Sequence, residues 1–326
     1  MFYSTSEYAG EGDSSLKEAV DVVIDILTVP IPPILIIFGL LGNLFSFLLM
    51  NRQKYQKSTT CFYMRCMAGS DCLYIYGRMF LRQIIVMAPH HFESMDVKVP
   101  FCLNFNVSFM IGLVLSPMIL VVMAFDRFLA VTWPLKAAMI CTMRRARITV
   151  LVLILFSLTF SLMTLGRTYQ EKYNFWLCPL NFEEPIDEIY STIQATITAF
   201  FPMAALAIFN LGILIAVYRS KRNTKLTKTS SGPKGKESLS ITLATVIVTC
   251  AFIVLQTPHK ANVLFWTVFQ GEVTADVRQW QRLMNNAVLL TENLNYCINS
   301  YLYILASKRL RNEMVNIICP RSIRQK

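Results

Sequence analysis

Two sets of polar side chains recur at helical spacing inside otherwise apolar sequence. Asp71, Arg78 and Arg82 stand at i, i+7 and i+11, while Glu292, Asn295, Asn299 and Tyr303 follow at intervals of three, four and four. Each set therefore shares one face of a helix. Asn43 and Ser116 add polar groups in two further apolar stretches. Such groups are expensive in an apolar medium, so they are expected to face inward and form a polar, hydrated seam. A seam of this kind suits conduction, transport or a conformational switch. Covalent catalysis is not expected, because the chain has no catalytic triad, phosphate loop or zinc motif. Three histidines without ligand spacing give no metal cluster either.

The elements that must position these groups are seven apolar runs, at 29–50, 61–87, 101–125, 148–166, 189–218, 239–268 and 283–305. Each has about the twenty residues a helix needs to cross ~30 Å of hydrocarbon. With 54% hydrophobic residues in such regular blocks, the runs predict an all-α membrane protein, because backbone polar groups in lipid must be satisfied within the segment.

The formal charge of +11 raises nucleic-acid binding, but its layout argues against it. With the amino terminus outside, most of the Lys and Arg residues fall in the inner loops and tail, among them Arg127, Lys136, Arg144, Arg219 and Lys308. Most acids fall outside. That is the positive-inside pattern, and basic inner loops sit well against anionic lipid. No cleavable signal peptide is read in the first 28 residues. The organisation expected is an extracellular segment at 1–28, a seven-span domain at 29–305, and a cytoplasmic amphipathic helix with tail at 306–326. Lys221–Lys236, with Ser230, Gly232 and Pro233, reads as a flexible inner linker.

Of nine cysteines, Cys102 and Cys178 face the oxidising side, where a bridge between them would persist and tie the outer loop over the bundle. Cys319, beside a basic amphipathic stretch, is either a palmitoylation site or a free thiol. Asn106-Val107-Ser108 is a glycosylation sequon inside the third run, and is expected to stay unmodified.

At the inner end of the third run stand Asp126, Arg127 and Phe128, an acid–base pair able to hold a closed state. Here the chain resembles a rhodopsin-like, class A, G-protein-coupled receptor over essentially its full length. Gly42-Asn43, the segment ending at Asp71, Asp126–Phe128, Pro202, Phe252 with Pro258, and Leu294–Tyr303 each match a family motif on its own span. Ser307–Ile318 resembles the family's short membrane-surface helix. The resemblance implies a seven-helix bundle with an eighth cytoplasmic helix. It further implies a switch formed by Asp126, Arg127, Phe128, Phe252, Pro258, Asn299 and Tyr303, and activation of a heterotrimeric G protein. It also implies an allosteric sodium ion at Asp71, Ser116, Asn295 and Asn299, and no other cofactor; a water-filled network is the alternative. The chain departs from the pattern at Phe128 for tyrosine, Gln256 for tryptophan, Ser300 for proline and Asn210 for tyrosine. The fourth-span tryptophan is absent, and Pro117 inside the third span is expected to kink it.

Within that family, Asn293 stands where an opsin needs lysine, and Phe109 where amine receptors carry aspartate. The outer half instead holds Arg78, Arg82, Gln256, His259, Lys260 and Glu292. Either the cations receive an anionic or acceptor-rich ligand end, or Glu292 neutralises Arg78 or Lys260 internally. An acidic rim at Glu183, Glu184, Asp187 and Glu188 suits a basic peptide segment. The ligand expected is neuropeptide-like, the alternatives being an anionic small molecule or lipid. A transporter or channel is the different-class alternative; it predicts inverted repeats, and none is visible.

Overall fold

A computed structural model of the chain describes residues 11–88, 95–163, 168–169, 180–181, 186–227, 233–268 and 274–318. Helix α1 (Glu11–Thr28) runs into α2 (Ile31–Met50), the first span. The second span is α3 (Thr59–Tyr74), a π turn at Ile75–Phe80 and α4 (Leu81–Met87). The third is α5 (Met95–Thr132), followed by the short α6 (Pro134–Ile140). The fourth is α7 (Met143–Leu162), capped by Thr142, whose hydroxyl accepts from Arg145 N. The fifth is α8 (Ile186–Ala195), a second π turn (Thr196–Phe200) and α9 (Phe201–Thr227). The sixth and seventh are α10 (Pro233–Val268) and α11 (Ala275–Ala306), and α12 (Lys308–Ile318) is the eighth helix. Thr168–Tyr169 and Leu180–Asn181 form a two-residue antiparallel ladder between the fourth and fifth spans.

Among the described residues, five stretches are long and apolar enough to cross a membrane: Lys17–Met50, Pro100–Thr132, Met143–Leu162, Ile189–Arg219 and Ser240–Trp266. The second and seventh spans fall below that mark because they carry the seam. Their charged and amide groups are affordable only because they face protein; Asp71, Glu292, Asn295 and Asn299 are all buried. The outward faces are apolar instead, with Ile37, Ile208 and Val254 well exposed.

Helix α5 is central, packing on α3, α7, α9 and α10. Its approach to the second span depends on glycine. A Cβ on Gly112 would lie 2.5 Å from the Tyr74 backbone nitrogen, and one on Gly77 would meet the Phe109 backbone. Toward the Asp126 end the spans close over an apolar core that includes Met67, Ile119, Met123, Leu206, Val248 and Phe252.

One expectation changes. The Lys221–Lys236 stretch is largely helical, since α9 reaches Thr227 and α10 begins at Pro233; residues 228–232 lie outside the described residues. Pro117 lies inside α5, which runs on to Thr132. The amino-terminal segment contains α1, whose Val20 and Ile24, one turn apart, are buried. Gln279 Nε2 donates to Lys17 O at 3.0 Å and Arg282 approaches Asp21 at 3.9 Å, which docks α1 on the seventh span.

Candidate functional site

The seam divides into three layers. At the Cys102 end, a π turn at Ile75–Phe80 interrupts the second span. Asp71 bonds to Ser116 of the third span and Asn299 of the seventh, and the Arg78 guanidinium likewise meets the third span, 5.0 Å from the centroid of the Phe109 ring. Arg78 and Arg82 line a cleft with Leu27 of α1, Pro32 of α2, and Asn286 and Asn293 of α11. The two cations lie within electrostatic reach of each other. Among the described residues neither has an ion pair, and Arg78 Nε is buried without a hydrogen-bond partner. The cleft's volume is only ≈ 20 Å³, room for about one water. Anything larger must displace α1 or part the spans.

The other ionisable side chains of this layer converge on one carboxylate. Lys260 Nζ lies 2.8 Å from Glu292 Oε1, and His259 Nδ1 lies 3.3 Å from Oε2. Glu292 is only 2% exposed, so this is a buried cluster. Of the two readings left open by sequence, internal neutralisation holds for Lys260 and an unpaired cation for Arg78 and Arg82. Below them the Tyr74 and Tyr296 rings stack at 3.5 Å, and Tyr74 Oη donates to Asn293 Oδ1 at 3.1 Å. Gln256, 1% exposed, reaches the Tyr296 hydroxyl and leaves its own Oε1 unpartnered.

The middle layer is centred on Asp71. Ser116 Oγ donates to Oδ1 at 2.5 Å, and Asn299 Nδ2 donates to Oδ2 at 2.9 Å. Asn295 Oδ1 is buried with no partner. Ser300 Oγ donates to Asn43 Oδ1 at 3.2 Å while Asn43 Nδ2 donates to Tyr296 O at 3.0 Å. A proline at 300 could not donate that bond, so this departure stitches the first span to the seventh.

The layer at the Asp126 end departs from expectation. Asp126 and Arg127 form no ion pair: Asp126 Oδ2 and Arg127 Nε are both buried without a hydrogen-bond partner. Adjacent residues on a helix point about 100° apart, and Asp126 turns instead toward Thr59 and Cys141. Phe128 packs against Phe209, with ring centroids 5.7 Å apart, and against Gly212. Phe252 is buried in the core, α10 runs unbroken through Pro258, and Tyr303 Oη donates to Met123 Sδ at 3.5 Å. Cys102 is disulfide-bonded, but Cys178 lies outside the described residues, as do Cys319, Glu183 and Glu184.

Sequence reasoning missed one contact entirely. Thr249 Oγ1 donates to Asn210 Oδ1 at 2.8 Å, joining the fifth and sixth spans through two buried polar groups. Asn210 stood out only as a departure, and nothing in one helix's periodicity says what it meets on another.

A membrane bundle with a polar interior, a bonded cysteine at one end and an apolar core closing the other, is the architecture of a signal transducer. The family model for the 7 transmembrane receptor (rhodopsin family) matches residues 42–303, and the chain belongs to that family. It is 25% identical to mouse neuromedin-U receptor 2 over 332 residues, covering 97% of this chain and 80% of the relative. It is 22% identical to human C-C chemokine receptor type 6 over 302 residues, 90% of this chain and 76% of that one. The FMRFamide peptide receptor frpr-18 of Caenorhabditis elegans is 24% identical over 307 residues, 87% of this chain and 67% of its own length.

Proposed function

We propose that this chain is a plasma-membrane receptor for an extracellular peptide. The amino terminus is outside, and binding at the Cys102 end is relayed to a heterotrimeric G protein at the Asp126 end. The concentration of Lys and Arg in the Asp126-end loops supports the orientation. The chemokine, neuromedin-U and FMRFamide peptide receptors among the relatives support the ligand class.

The observation that carries the ligand reading is the contrast between cations. Lys260 is neutralised by Glu292, whereas Arg78 and Arg82 face a cleft without a carboxylate. Two guanidiniums held together in partial burial favour an incoming anion, which each can grip through paired N–H groups. The ligand's acidic or acceptor-rich end therefore goes to Arg78 and Arg82 beside Phe109. Any basic part is met by acids nearer the surface, such as Glu18, Asp21 and Asp25 of α1.

A panel of acidic and amidated peptides, read by guanine-nucleotide exchange, tests this. An agonist from it should lose at least tenfold in potency, about one charge-assisted contact, with Arg78→Ala or Arg82→Ala. Unchanged potency in both variants refutes the assignment. Losses in those variants but none on neutralising the surface acids would identify an anionic small ligand instead.

The Asp71 layer fits a sodium ion. A carboxylate, the Ser116 hydroxyl and the orphaned Asn295 oxygen are hard donors from three spans, the set a small cation takes up. Bound there, the ion would supply positive charge opposite Asp71 and hold the third and seventh spans together. At the other end, α6, which follows the third span, presents Leu135 and Met139, 86% and 67% exposed. This apolar surface at the mouth of the bundle suits a G-protein helix once the sixth span moves out.

A further inference from the structure

Between the third and fifth spans at the Asp126 end lies a groove of ≈ 400 Å³ lined by Val131, Thr132, Trp133, Gly212, Ile215, Ala216 and Arg219, the Thr132 hydroxyl donating to Phe128 O. Its floor is apolar. Gly212 contributes no side chain, and the Phe128 ring comes so close behind it that a Cβ would lie 2.5 Å from Phe128 Cε2. The mouth is of opposite character. Arg219 is exposed at the end of the groove. Trp133 is half exposed, and Lys136 Nζ lies 5.9 Å from the centroid of its ring. Neither cation has a carboxylate partner among the described residues.

An apolar trough opening beneath two cations and an interfacial tryptophan matches one chemistry, that of a lipid with an anionic headgroup. Tryptophan prefers the membrane–water boundary, and basic side chains there attract anionic headgroups. A neutral lipid would fill the trough but leave both cations unmatched. A protein helix seated there would have to compete with bilayer lipid for a surface that lipid already solvates. We propose that this groove binds one anionic phospholipid, with an acyl chain along Ile215 and Ala216 and the headgroup phosphate on Arg219 and Lys136. The site is separate from the Arg78–Arg82 cleft and from Asp71. It needs only the membrane bundle, whatever the ligand.

Native mass spectrometry of the purified full chain tests it, with phosphatidylserine and phosphatidylcholine of identical acyl chains added in equal amount. The wild type should retain one phosphatidylserine in preference to phosphatidylcholine. Arg219→Gln should lower that preference about fivefold, the worth of one basic residue near a charged headgroup. Ala216→Phe, which fills the trough without changing charge, should lower retention of both lipids. Arg144→Gln, an exposed cation at the start of the fourth span, should change neither. Lack of any phosphatidylserine preference overturns the proposal. So does an equal loss from Arg144→Gln and Arg219→Gln, since that would make the attraction a property of the whole basic face. Arg219 and Arg144 are both exposed, so their comparison stands even where Ala216→Phe impairs folding.

Discussion

The contact between Asn210 and Thr249 should set how readily this receptor opens without ligand. Thr249→Val keeps the shape of the side chain and removes its hydroxyl. A buried neutral hydrogen bond contributes about 1 kcal/mol net, and orphaning one buried partner costs about 1–3 kcal/mol. Thr249 Oγ1 also lies 2.9 Å from Thr245 O and 2.9 Å from Val246 O, so its single proton is shared with its own helix. That competition places the loss at the lower end, about 1 kcal/mol. The ratio of open to closed receptor then rises roughly fivefold. Asn210→Ala behaves differently. It strands no donor, because Thr249 retains the helix carbonyls, and what goes is the weak Asn210 Nδ2–Cys250 Sγ contact at 3.7 Å with some packing. Its effect should be smaller. The double variant should fall back to the Asn210→Ala level, because there is no longer an amide to orphan. The assay is ligand-free guanine-nucleotide exchange in nanodiscs at fixed receptor and G-protein concentration. Two results would refute the reasoning: Thr249→Val within experimental error of the wild type, or a double variant that exceeds both single ones.

Two more perturbations address the other layers. Glu292→Gln removes the only carboxylate from the Lys260–His259 cluster. It should cost about 3–5 kcal/mol of stability, the range for breaking a buried pair from one side. Adding Lys260→Met should recover most of the thermal midpoint, and a midpoint insensitive to Glu292→Gln would contradict the pairing. Raising sodium from about 10 to about 200 mM at constant ionic strength with potassium or choline should stabilise the wild type by about 1 kcal/mol, below the linkage ceiling of about 1.8 kcal/mol for a twentyfold rise, and raise its thermal midpoint accordingly. Asp71→Asn should show no such response; equal stabilisation of both would rule out an ion at that carboxylate.

Much of this architecture was legible in one sequence because membranes impose strong constraints. Span length, the distribution of Lys and Arg, and the inward position of polar residues each leave a pattern in a single chain, and Asp71, Ser116 and Asn299 meet where the spacing and the family resemblance placed them. Failures occurred where geometry depends on more than one helix or on a change of helical pitch. The π turn at Ile75–Phe80, on which Arg78 sits, has no signature in residue type. Asp126 and Arg127 are consecutive, and adjacency in sequence was taken for pairing when a helix sends the two apart. Helix α1 did leave a trace: Val20, Ile24 and Leu27 recur at helical spacing, but acidic residues between them obscured it.

The departures from the family pattern share a physical consequence. Ser300, Asn210 and Gln256 each stand where the pattern has a ring, and each places a small hydrogen-bonding group in the interior. Ser300 ties the seventh span to the first and Asn210 ties the fifth to the sixth, while Gln256 reaches the stacked Tyr296. A bulky ring holds a helix by excluded volume, which water cannot imitate. A hydrogen bond holds it by pairing, which an entering water can replace at little enthalpic cost. Closure in this chain therefore depends on keeping the Asp126 half of the seam dry. The apolar core around Met123, Leu206 and Phe252 provides that seal. Substitutions that admit water there should loosen the resting state without touching a single polar contact.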